Sequence, residues 1–93
     1  MSTLTKKDDL INSFINVLKT SQESVFILDE LTIRINTCIT KVSNTKIQTS
    51  LNDMISMFVH HKYNKGTEYS MKLILKNLLC EKEGISILEE LLK

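Results

Sequence analysis

Ninety-three residues, 42% apolar and 25% charged, describe a chain with the composition of an ordinary globular protein and the length of a single domain. Twelve basic residues against eleven acidic ones leave a net charge of +1, with no Lys/Arg run able to neutralise successive phosphates or hold an anionic lipid surface, which argues against nucleic acid and membranes as partners. The longest apolar run, Val25 to Leu28, is far too short to span a bilayer and the polar start of the chain has no signal-peptide core, so the expected compartment is the cytosol.

Thr5-Lys6-Lys7-Asp8 has capping-box spacing, in which a hydroxyl and a carboxylate three residues on satisfy the free amides of a helix start. A helix is expected from there to about Thr20, with Leu10, Ile11, Phe14, Ile15 and Leu18 as its apolar stripe. The next stretch can be read two ways. Leu31, Ile33 and Ile35 alternate as a strand would, yet Leu28, Leu31, Ile35, Cys38 and Val42 make an unbroken three-four repeat. No Gly or Pro offers a hairpin turn and a lone strand would have no partner, so residues 22–31 are expected to be helical, and 32–41 helical or irregular.

Ser43-Asn44-Thr45 supplies cap-forming residues before a further helix, whose stripe is Leu51, Met54, Ile55 and Phe58 and whose end falls near Tyr63. Gly66 is placed to close that helix in a left-handed conformation, and Thr67 to cap the next, which carries Met71, Ile74, Leu75, Leu78 and Leu79. Gly84 is placed to end it. Ser86-Ile87-Leu88-Glu89 then reads as a second capping box before a short final helix with Leu88, Leu91 and Leu92. The expected fold is an all-α bundle of five to six helices, with Phe14, Phe26, Leu51, Phe58, Leu75 and Leu78 in its core.

Little in the chain carries chemistry. His60 and His61 are adjacent, so on a helix they point about 100° apart and cannot chelate one metal as an i, i+4 pair can. There is no Cys-x-x-Cys, no His-x-x-x-His and no glycine-rich phosphate loop, so no catalytic residue, metal or cofactor is assigned. Cys38 and Cys80 read as free, buried thiols, and Met54 and Met71 as packing. Abundant Ile, Lys and Asn with no proline hint at an AT-rich genome, such as those of many viruses and low-GC bacteria.

Over almost its whole length the chain resembles the pyrin domain, a member of the death-domain superfamily. Asp9-Leu10-Ile11, followed by Phe14 and Leu18, is similar to the opening of the family's first helix, and Glu23 with Phe26 to its second. The fullest match is Asp53-Met54, Phe58-Val59, Tyr63, Gly66-Thr67-Glu68-Tyr69-Ser70, then Leu73, Leu75 and Leu78. The tail from Gly84 to Leu91 is similar to the last helix. Val42-Ser43-Asn44-Thr45 departs from the family, lacking the proline and arginine usual before its short third helix.

The resemblance implies a six-helix Greek-key death fold and homotypic association, an acidic surface on one domain meeting a basic surface on the next. The acidic residues would be Asp8, Asp9, Asp53 and Glu68; the nearby positive charges are Arg34, Lys41 and Lys46. The helix-2 lysines of the family are replaced here by Val25, Ile27, Asp29 and Glu30. A head-to-tail assembly needs both faces on every subunit, so a subunit with one face docks and stops growth. The implied function is that of a pyrin-only decoy, in the manner of virus-encoded members, binding an inflammasome adaptor or sensor. Two other readings stand beside it: a small helical-bundle inhibitor of the bacteriocin-immunity or phage type, and an isolated pyrin domain of a larger scaffold.

Overall fold

Helix α1 (Thr3–Ser21), α2 (Val25–Lys41), α3 (Thr45–His60), α4 (Lys65–Leu79) and α5 (Lys82–Leu91) account for nearly all of the described chain, and no strand occurs among the described residues. The structure is a computed structural model that describes residues 3–21, 25–60 and 65–93, with the side chains of 3–5, 21, 25–28, 59, 60 and 65 outside the description. Glu23, His61 and Tyr63 therefore lie outside the described residues, as do the side chains of Phe26, Val59 and His60.

The three-four repeat wins in α2, which runs unbroken through residues 32–41. Leu31 and Ile35 are buried, whereas Ile33, which an alternating strand would place beside them, is 66% exposed. The β-branched threonines are accommodated by bonding back to the preceding turn: Thr37 Oγ1 donates to Ile33 O at 3.0 Å and Thr40 Oγ1 to Thr37 O at 2.7 Å. Residues 42–44 then connect directly to α3, and no separate short helix stands between α2 and α3. Asn44 is the cap of α3, its Oδ1 accepting from the backbone amides of Lys46 at 2.9 Å and Ile47 at 3.3 Å.

Both glycines depart from the roles expected of them. Gly66 is the second residue of α4, exposed, and no described residue has a positive φ. Gly84 is the third residue of α5 and buried, so Thr67 and Ser86 lie inside helices rather than at their caps. A Cβ at Gly84 would lie 1.9 Å from the carbonyl oxygen of Leu78. That position therefore serves close approach of α5 to the end of α4, not a left-handed helix stop.

α4 lies at the centre, against α3, α1 and α5, while α2 packs on α3, α1 and α5. Lys19 at the end of α1 meets Glu68 at the start of α4 at 3.6 Å, so the end of one helix lies beside the start of the other. Phe14, Ile35, Ile47, Leu51, Met54, Leu75, Leu78 and Leu88 are fully buried, one or more from each helix, and form one continuous core. Phe58 is only half-buried, packing against the core from its edge. The radius of gyration, 12.4 Å, equals that of a folded domain of this length, about 12 Å.

Candidate functional site

The acidic residues read from the sequence do not form one surface. Asp8 and Asp9 are exposed in the early turns of α1, and neither joins an ion pair among the described residues. Lys6 beside them is drawn to Glu89 of α5 at 3.7 Å. Glu68 sits at the opposite end of α1, bridged by Lys19 at 3.6 Å and Lys72 at 3.5 Å. Lys19 lies eleven residues beyond Asp8 on the same helix, about 16 Å along its axis. Glu68 thus belongs to a junction that ties α1 to α4, and its charge is offset there.

The basic set contracts as well. Arg34 is half-buried, and its guanidinium donates from Nη1 to the carbonyl of Leu91 at 3.2 Å and from Nη2 to that of Glu90. The last carbonyls of a helix have no partner within it and carry the negative end of its dipole. α5 has no basic residue in its own last turn, and Arg34 of α2 supplies the missing cation. Of the three positive charges only Lys41, at the end of α2, and Lys46, in the first turn of α3, remain exposed and outside ion pairs among the described residues.

Asp53 belongs to a different feature. Lys46, Thr49, Ser50 and Asp53, spaced i, i+3, i+4 and i+7, form a polar stripe on α3 that faces Asn77, Cys80 and Glu81 at the end of α4 and its following turn. Between them runs an open groove with a volume of about 400 Å³. Asn44 braces one end, donating from Nδ2 to Glu81 Oε2 at 3.3 Å while its own oxygen caps α3. Sequence reasoning found Lys46 and Asp53 but missed Thr49, Ser50, Asn77, Cys80 and Glu81. The polar spacing on α3 was visible as the complement of its apolar stripe; that it faces another helix end rather than open water was not.

Among the described residues no group of three or more His, Cys, Asp or Glu side chains is placed to hold a metal ion. The thiols are free, as expected, but not buried: Cys38 is half-buried and Cys80 is exposed, because Cys80 falls just past the last helical turn of α4. No described helix is long and apolar enough to cross a membrane. No family model, no curated protein and no solved structure matches the chain.

Proposed function

We propose that this chain is a non-catalytic, cytosolic interaction domain of the pyrin type, which docks through Asp8 and Asp9 onto the basic surface of an adaptor or sensor death-fold domain and blocks that partner's assembly. The observation that carries the reading is the engagement of Arg34. With its guanidinium committed to the carbonyls of α5, Arg34 leaves Lys41 and Lys46 as the members of that basic set still exposed, while Asp8 and Asp9 stay exposed on α1. A subunit offering one face and lacking its complement ends a heterologous assembly instead of extending it.

The continuity of α2 favours a second reading. Pyrin domains insert a short third helix where this chain has only residues 42–44, and long helices joined by short connections are the pattern of a simple helical bundle. On that reading the protein is a bundle-type inhibitor of the bacteriocin-immunity or phage kind. Binding to purified adaptor and sensor pyrin domains separates the two. The parent chain is expected to bind one of them, to lose most of that binding on Asp8→Lys/Asp9→Lys, and to slow mainly in association, with an effect that shrinks as salt is raised. It is also expected to stay unpolymerised in light scattering where an adaptor pyrin domain forms filaments. If no pyrin domain binds the parent, or if the double reversal binds equally well, the decoy reading is rejected.

A further inference from the structure

The groove between α3 and the α4–α5 turn contains a hydroxyl with no partner among the described residues. Ser50 is the one buried polar side chain among the described residues, 7% exposed, and its Oγ makes no hydrogen bond to any of them. Its neighbour Thr49 bonds back to the carbonyl of Thr45 at 2.9 Å, as helical hydroxyls commonly do, whereas Ser50 does not use the equivalent carbonyl. A buried donor left unpaired lowers stability, and alanine at this position would fill the helix better and carry no such burden. An unpaired hydroxyl in the wall of a solvent-open groove is what a ligand-binding group looks like before its ligand arrives.

The charges around Ser50 select the ligand. Asp53 lies one turn further along α3, Glu81 lies on the facing wall, and Lys46 lies one turn back, so the lining carries two carboxylates and one ammonium, a net charge of −1. Lys46 and Asp53 are seven residues apart on α3, about 10 Å along the axis, which leaves the Asp53 end free of the lysine. Glu81 accepts one hydrogen bond, from Asn44, through Oε2. The acceptors still open among the described residues are the Asp53 carboxylate, the second oxygen of Glu81, the side-chain carbonyl of Asn77 and the Ser50 hydroxyl, spread over both walls.

We propose that this groove binds a guanidinium group, the side chain of an arginine on a partner polypeptide. A guanidinium presents five donors in a planar fork and is weakly hydrated, so it can meet acceptors on two walls at once; an ammonium offers three donors around one strongly hydrated point. Lys46 disfavours a second cation alongside, so the motif recognised is a single arginine and not a basic run. Asp8 and Asp9 do not line the groove, so this site stands or falls separately from the α1 docking face.

The test is a titration of the isotope-labelled full chain, followed by backbone amide shifts, with acetyl-Gly-Arg-Gly-amide and with its lysine and citrulline counterparts. The arginine peptide is expected to give saturable shifts confined to residues 46–53 and 77–82, with Kd of roughly millimolar order. Citrulline, equal in shape but uncharged, and Asp53→Asn are each expected to weaken binding by about tenfold or more. Ser50→Ala is expected to weaken it several-fold while keeping or raising the melting temperature, so that the loss is not unfolding; Asp8→Lys/Asp9→Lys is expected to bind like the parent. The proposal is overturned by the absence of saturable shifts up to about 50 mM peptide. Equal binding of the arginine and citrulline or arginine and lysine peptides, shifts indifferent to Asp53→Asn and Ser50→Ala, or a lowered melting temperature in Ser50→Ala would each overturn it too.

Discussion

Replacing Gly84 by alanine sets two effects of opposite sign against each other. Within a helix, alanine is favoured over glycine by about 1 kcal/mol, so local propensity alone makes the variant more stable. The tertiary structure opposes it: the added Cβ would lie 1.9 Å from the carbonyl oxygen of Leu78 and 2.8 Å from its carbonyl carbon. Neither atom can rotate aside, because both belong to the backbone at the end of α4, where the same oxygen already accepts from the amide of Glu81 at 3.2 Å. Relief requires α5 to swing off α4 by more than about 1 Å, loosening Leu88 and Leu91, both buried against the core. Overpacking of this kind costs about 1–3 kcal/mol, and the lost packing adds to it, so the net change is a loss of about 2–3 kcal/mol. For a domain of this size that is a fall in melting temperature of roughly 10–20 °C. Thermal unfolding followed by far-UV circular dichroism reads it directly, with Gly66→Ala as the control. Gly66 is exposed, helical and without positive φ, so its replacement should leave stability unchanged or raise it by up to about 1 kcal/mol. Gly84→Ala matching or exceeding the parent in stability would refute the close-approach argument.

Two further substitutions probe the frame. Asn44→Ala removes the cap of α3 and its link to Glu81 together, and is expected to cost about 1–2 kcal/mol in urea unfolding, more than Ser43→Ala next to it, which is exposed. Phe14 is fully buried and Phe58 only half-buried, so Phe14→Ala should cost about 3–5 kcal/mol and Phe58→Ala clearly less; equal costs would show that the edge of the core at α3 is tighter than described.

Helices were legible in this chain because their evidence is local. The three-four spacing of Ile11, Phe14, Ile15 and Leu18, and of Met71, Leu75 and Leu78, reports which side of a helix must leave water, and those residues are buried. The Asn44 cap was legible for the same reason, being a bond between a side chain and amides two and three residues on. Alternation in residues 31–35 obscured α2 because β-branched residues satisfy both patterns over so short a span, and only packing on α3, α1 and α5 decides between them. The remaining features depend on partners far away in the chain. Asn44 meets Glu81 across 37 positions and Arg34 meets Leu91 across 57, so no spacing rule could show that the arginine closes a helix end instead of offering a basic surface. Gly84 and Ser50 carry the same lesson: one touches the end of another helix and the other lines a groove against it, and both roles exist only once α3, α4 and α5 have been brought together by a core that no single helix can bury alone.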